Sequence, residues 1–424
     1  MKTKAIRLYG KNDLRLEEFE LPEIKDDEIL ASVISDSICM SSYKAAVQGT
    51  DHKRIPNDAA ENPTMIGHEF SGEIIQVGKK WQDKFKPGQK YSIQPALNYE
   101  DGPVGILSAP GYSYQYVGGN ATYIVIPAEV MELDCLLPYD GPGFYPGSLA
   151  EPLSCVIGAM HANYHTKQGS YVHNMEIVQG GNMAILAGVG PLGLAAINYA
   201  IHREDRQPKL LVVTDIDQER LDRAIDLFPP EEAAKNGIKL VYINTGKCDN
   251  PVEELMALTD GEGYNDVFVF APVAPVIEQG DAIMAIDGCL NFFAGPSRPD
   301  FQAKMNFYNV HYQSTHIVGT SGGNTSDLVE AIEYMNKGLD PAGLVTHIGG
   351  LNAVIETTLN LPNIPGGKKL MYTHIDLPLT ALTEFEEKGK DNKLFAKLDE
   401  ITKRNNGLWS IEAEEYLLAN APAI

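Results

Sequence analysis

The segment MAILAGVGPLGLAAINYAI, residues 183–201, constrains the fold more than any other part of the chain. It opens with a short apolar run that reads as a strand. Gly188, Gly190 and Gly193 follow in GxGxxG spacing, and an apolar helical pattern closes it. Strand, glycine turn and helix in that order form the phosphate cradle of a dinucleotide-binding unit. The first glycine allows the tight turn, the second lets backbone approach a pyrophosphate, and the third lets the helix pack on the strand. Pro191 and Leu192 begin the helix, whose free N–H groups and dipole face the anion. The bland alternative is a tight turn that carries glycines for packing alone.

The next strand, KLLVVTD, ends at Asp215, which lies 22 residues beyond Gly193. A carboxylate there grips the adenosine ribose hydroxyls and repels a 2′-phosphate, so NAD(H) is favoured over NADP(H). Asp217 is the alternative ribose ligand. Further strands (KLVYINT, DVFVFAP, GCLNFFAG, THIVGTS) alternate with helical patterns. That alternation predicts an α/β domain over residues 159–320, a doubly wound parallel sheet with helices on both faces.

Residues 1–158 have a different texture. Short β-type runs (AIRLYG, EILASVIS, FSGEIIQVG, QKYSIQP, ATYIVIP) are separated by Gly, Pro, Asp and Asn, which predicts a sheet-rich domain. Residues 98–120, rich in Gly, Tyr and Pro, read as long loops. PLSCVIGAMHANYH reads as a helix, and NTSDLVEAIEYMNKGL as another with its N-cap region at Thr325, Ser326 and Asp327. Residues 321–375 are assigned to the first domain, and residues 376–424 to a helical tail.

A length of 424 residues suits two or three domains. The net charge of −23 argues against nucleic-acid or anionic-membrane partners, while leaving room for a local basic pocket and an anionic small substrate. No apolar run is long enough to span a membrane. The first residues lack the apolar core of a secretory signal. Five widely spaced cysteines form no disulfide framework. A cytoplasmic protein is expected.

Three pieces of the first domain carry ligand-type residues: ICMSSYK with Cys39, MIGHEFSG with His68 and Glu69, and SLAEPLSC with Glu151. Thiolate, imidazole and carboxylate together suit Zn²⁺. Singly, each has a bland reading: a core thiol, a turn histidine, a carboxylate complementing a helix start.

In this order, ahead of a dinucleotide fold, the pieces resemble the zinc-containing medium-chain alcohol and polyol dehydrogenases. Gly67-His68-Glu69 matches the family's GHE motif. Cys39 matches its first metal cysteine, with the hydroxyl residue Ser41 after it. Glu151-Pro152-Leu153 matches the sorbitol-dehydrogenase form of its EP motif. The resemblance covers residues 1 to about 375. It implies a GroES-like catalytic domain, a Rossmann domain and hydride transfer between a nicotinamide and a carbinol or carbonyl carbon. It also implies a homodimer or homotetramer. Cys39, His68, Glu69 and Glu151 become the metal set, with Glu69 either a ligand or a second carboxylate that orients the site.

The resemblance has departures. Lys44 stands where a histidine usually ends the proton relay, and only Cys135 lies where many relatives carry a four-cysteine lobe. One catalytic Zn²⁺ per subunit and no structural zinc are therefore expected. Ser41 is the candidate proton carrier, or else a helix N-cap. Lys44 ends the relay, binds cofactor or substrate phosphate, or is simply solvated. The tail, the N-terminal LYGKNDLRLEE and the insert at 163–179 resemble the branch that reduces sugar phosphates such as L-sorbose 1-phosphate to glucitol 6-phosphate. An NAD-linked dehydrogenase of a free polyol or secondary alcohol is the alternative, and a non-catalytic NAD sensor a more distant one. Arg298, Lys304, His311 and His316 are further candidates for a phosphate contact.

Overall fold

The computed structural model describes every residue except Gln168, which falls within the insert at 163–179. The chain divides into two compact units, Met1–Glu151 with Asn324–Ile424, and Pro152–Gly323. The sequence reading placed these boundaries at 158 and 321. The first division falls inside one continuous helix, Tyr145–Ala162, which begins well before the apolar pattern that announced it. No helix among the described residues is long and apolar enough to cross a membrane.

The second unit is built on six parallel strands in the order Lys239–Asn244, Leu210–Asp215, Asn182–Leu186, Tyr264–Val269, Met284–Phe292 and His316–Val318. Numbered along the chain, that is 3-2-1-4-5-6, the dinucleotide-binding order. The strand Asn182–Leu186 is buried throughout, as a central parallel strand covered on both faces must be.

The first unit is β-rich. Its largest sheet has eight strands, centred on Ile29–Ile38. This strand pairs antiparallel with Phe70–Val77, Lys368–Tyr372 and Tyr123–Ile126. The helix Tyr145–Ala162 is tied to the sheet by small polar groups. Ser148 Oγ lies 3.0 Å from Ser35 Oγ, and Ser92 Oγ donates to Gly147 O at 2.7 Å. Gly147 leaves no room for more, because a Cβ there would stand 2.5 Å from Ser71 Oγ.

The tail is helical (Phe385–Gly389, Lys393–Arg404, Ile411–Asn420) and belongs to the first unit. Trp409 and Phe385 are fully buried in it and pack with Tyr372. The helix Thr325–Asn336 is capped one residue earlier than the sequence suggests. Asn324 is the N-cap, and Asp327 completes a capping box.

Glu414 of the last helix is also fully buried. Its carboxylate accepts the Phe144 and Tyr145 N–H groups at 2.6 and 2.8 Å and the Tyr372 hydroxyl at 3.0 Å. These amides lie at the start of Tyr145–Ala162, where helical N–H groups have no partner in the helix. Burial nevertheless pushes the Glu414 carboxyl up to about 7, against the pull of those donors and of Lys90. Ionisation is thus less favourable in the folded chain than in the unfolded one. The contribution of this group to stability is full below about pH 4.5 and is lost as pH rises through about 7. Wild-type unfolding free energy, measured relative to Glu414→Gln, is expected to fall by up to about 3 kcal/mol between pH 4.5 and pH 8. A gap equal at pH 5 and pH 8 in denaturant titrations would contradict this assignment.

Candidate active site

Three neighbouring strand ends assemble the site. Ile29–Ile38 runs out beside Lys369, while Asp36 faces Phe70 across the other ladder. Cys39 therefore follows the central strand, His68 and Glu69 precede Phe70–Val77, and Lys368 opens Lys368–Tyr372. The metal-ligating atoms of Cys39, His68 and Glu69 all lie within 4.8 Å of one another.

Cys39 is the N-cap residue of the helix Met40–Gln48, and its sulfur faces the Ser41 hydroxyl and amide, whose hydrogen bonds oppose the rise of the thiol's pKa. Ser41 is thus not the cap. Its Oγ lies 3.2 Å from His68 Nε2, as does the hydroxyl of Tyr112, while Ser42 Oγ lies 3.3 Å from Nδ1. An imidazole held by a hydroxyl at Nδ1 presents Nε2 as the ligand atom. Burial keeps the His68 pKa below its usual value, so the ring is neutral, the form that binds metal.

Glu69 is buried and its carboxylate is gripped by the Lys368 ammonium and the Ser37 hydroxyl. Burial alone would raise its pKa, but Lys368 and His68 hold it below the usual carboxylate range. Burial and the Glu69 charge drive neighbouring Asp36 well above that range, and Asp36 accepts from Asn120 and from the Glu69 N–H. Burial, reinforced by Glu69, also raises the Cys39 thiol.

Glu151 sits within the helix Tyr145–Ala162, not at its start. It is buried but stands outside the 4.8 Å group. Burial pushes its carboxyl up to about 7, with Glu69 and Cys39 adding to the push and His68 opposing it. The donor set is thus one thiol, one neutral imidazole and two buried carboxyl groups, with Lys368 as the buried cation. Such a set is short of positive charge, and its S, N and O donors fit Zn²⁺.

In the second unit the glycine turn joins Asn182–Leu186 to the helix Pro191–His202, with Gly190 as N-cap and Pro191 and Leu192 in the first turn. A Cβ on Gly193 would stand 2.1 Å from Gly188 O, and one on Gly188 would stand 2.3 Å from Ile185 Cγ2. Nothing lies within 4 Å of a Cβ on Gly190. Its glycine is therefore not required by the protein's own packing, and open space at a helix N-terminus fits a phosphate. Asp215 ends its strand and accepts the Ile216 and Asp217 N–H groups through Oδ1. Asp217 instead caps the helix Gln218–Leu227.

Lys44, three residues past Ser41 on the same helix, is half-buried, which lowers its pKa. Arg298 is exposed and paired with Asp300, and His316 bonds Asp287 at 2.8 Å. Sequence reasoning passed over Lys368, Tyr112, Ser42 and Asp36. Asp36 gave a signal, as a lone acid inside an apolar strand. Tyr112 was hidden in a stretch that reads only as loop.

A family model described as alcohol dehydrogenase GroES-like domain matches residues 25–134, and one described as zinc-binding dehydrogenase matches residues 191–337. The chain is 51% identical to L-sorbose 1-phosphate reductase of Klebsiella pneumoniae, over 100% of this chain and 98% of that one. It is 50% identical to mannitol-1-phosphate 5-dehydrogenase of Aliivibrio fischeri, over 98% and 97%. The solved structure of 2R,3R-butanediol dehydrogenase from Bacillus subtilis superposes with a TM-score of 0.69 at 21% identity, covering 87% of this chain and 99% of that one. With whole-length identity to these enzymes, the chain belongs to the zinc-containing alcohol and polyol dehydrogenase family.

Proposed function

We propose that the protein reduces a ketose phosphate with NADH at a single Zn²⁺ site, with L-sorbose 1-phosphate as substrate and glucitol 6-phosphate as product. The observation that carries this reading is the 51% identity, over the full chain, to a reductase named for that substrate. The two half-identical relatives described above are each named for a 1-phosphate, whereas the butanediol enzyme shares only 21%. A phosphorylated substrate is accordingly favoured over a free polyol.

Bound Zn²⁺ would supply Lewis-acid polarisation of the substrate oxygen, and bound nicotinamide the hydride. Cys39 and His68 hold the ion, with Glu151 as the third protein ligand. Glu69, already committed to Lys368 and Ser37, orients the site from behind. The Ser41 hydroxyl carries the proton that the new carbinol oxygen requires. Lys44, on the same helix face three residues on, is the next charged group along that path. In the second unit, the backbone at Gly188, Gly190 and Gly193 and the first turn at Pro191 and Leu192 hold the pyrophosphate, and Asp215 holds the ribose. A homo-oligomer is supported by the edge strand His316–Val318, near which Phe307, Tyr308 and Tyr312 are exposed.

NADH consumption with L-sorbose 1-phosphate is expected to exceed that with free L-sorbose. Chelation should abolish it, and Zn²⁺ should restore it. Full turnover by protein shown to be metal-free would overturn the zinc reading. Asp215→Ser is expected to shift the kcat/KM ratio of NADH to NADPH toward NADPH by tenfold or more. An unmoved ratio would count against Asp215 as the ribose ligand. In the chelated protein, Lys368→Met should lower unfolding stability by about 3–5 kcal/mol, because it strands a buried carboxylate. Lys368→Met with Glu69→Gln should recover much of that loss, and a double variant no more stable than the single one would exclude the ion pair as its source.

A further inference from the structure

We infer that Lys53 and Arg54 form a subsite for the phosphomonoester of the substrate, beside the Cys39 and His68 donors. The inference rests on the ketose-phosphate reading above and assigns it residues.

A chain of net charge −23 has few places where positive charge accumulates. Residues 44–54, KAAVQGTDHKR, form one: three cations and His52 stand against a single acid. That acid, Asp51, is paired with Lys11. Neither Lys53 nor Arg54 has a carboxylate oxygen within 4.0 Å among the described residues. Burial and the charges of Arg54, Lys53 and Lys44 together lower the His52 pKa to about 4, and Lys53 likewise adds to the lowering of Lys44.

The cluster is built and adjoins the metal donors. Arg54 Nη1 donates to Leu107 O at 2.9 Å, and Arg54 O accepts from Ser113 Oγ at 2.7 Å. Its guanidinium carbon lies 5.7 Å from the centre of the Tyr112 ring, on which His52 stacks with 5.9 Å between centres. The hydroxyl of the same tyrosine reaches His68 Nε2. Tyr112 thus touches the candidate metal ligand and the cationic group together. A cavity of about 340 Å³ opens against His52 and Lys53, with Thr50, Asp51, Asn57 and Val104 among its other walls; Lys44, Arg54 and the metal donors do not line it. Its volume falls in the range of small-molecule sites. A phosphate lies only a few bonds from the reacting carbon of a ketose phosphate, so its subsite must lie close to the metal donors. Arg and Lys together supply the forked and the point-charge contacts that phosphate takes.

Lys53 is exposed, so Lys53→Gln tests the subsite without disturbing the core. Steady-state rates with L-sorbose 1-phosphate and with free L-sorbose give a ratio of kcat/KM values for each protein. Lys53→Gln and Arg54→Gln are each expected to lower that ratio at least tenfold, mainly through KM for the phosphorylated sugar. Arg54→Lys should retain more of it than Arg54→Gln. Inorganic phosphate should compete with L-sorbose 1-phosphate in the wild type and less strongly in Lys53→Gln. A wild type that prefers the phosphorylated sugar, with folded Lys53→Gln and Arg54→Gln variants that keep the full preference, would overturn the subsite and leave the reading of function intact. A wild type with no preference would overturn both.

Discussion

The ion pair between Lys368 and Glu69 is the interaction on which the first unit is arranged. Both side chains are almost wholly buried, at 5% and 1% exposure. Two charges at that depth are tolerable only when paired and hydrogen-bonded, and the loss of one partner strands the other. The pair also fixes strand ends, since Lys368 opens one neighbour of the central strand and Glu69 immediately precedes the other. A slip of either strand by one residue would turn a buried charge away from its partner. The same contact that holds the sheet in register therefore holds Cys39 and His68 in place.

This arrangement also explains the division of labour among the acids. Glu69 is ionised and already satisfied by Lys368 and Ser37, which leaves it little capacity for a metal. Asp36 is driven toward its neutral form by burial and by that same charge. Glu151, with its carboxyl raised to about 7 by burial and by Glu69 and Cys39, would be favoured in its ionised form by a nearby cation. Metal binding and carboxylate ionisation favour each other in such a site.

Much of this was legible in the sequence, and the rest was hidden for physical reasons. Strand, glycine turn and helix are local, so the cradle at Gly188, Gly190 and Gly193 could be read directly, down to the acid that ends the next strand. Cys39, His68 and Glu151 were legible as ligand types in a familiar order. Lys368 was not, because its partner lies 299 positions away and only the sheet topology joins them. The distinction between Asp215 and Asp217 also needed coordinates. The sequence ends the strand at Asp215 but keeps Asp217 as an alternative, and the backbone adds that Asp217 caps the following helix. The Glu151 helix was read too short because its helical periodicity shows only from Pro152 onward, whereas it begins at Tyr145. The structure supplies the missing reason in Glu414, whose carboxylate receives the first amides of that helix.

That contact gives the helical tail a place in the site's architecture. Trp409 Nε1 donates to the Tyr372 hydroxyl at 2.8 Å, and that hydroxyl donates to Glu414. Tyr372 ends the strand that Lys368 begins, so one end of this five-residue strand is fixed by the tail and the other by Glu69. Glu414 in turn caps the helix that carries Glu151. Two elements of the donor cluster, one strand and one helix, thus meet at a single buried carboxylate from the last helix of the chain. A segment that reads in the sequence only as a helical tail is, through Trp409, Tyr372 and Glu414, part of what sets the distance between Lys368 and Glu151.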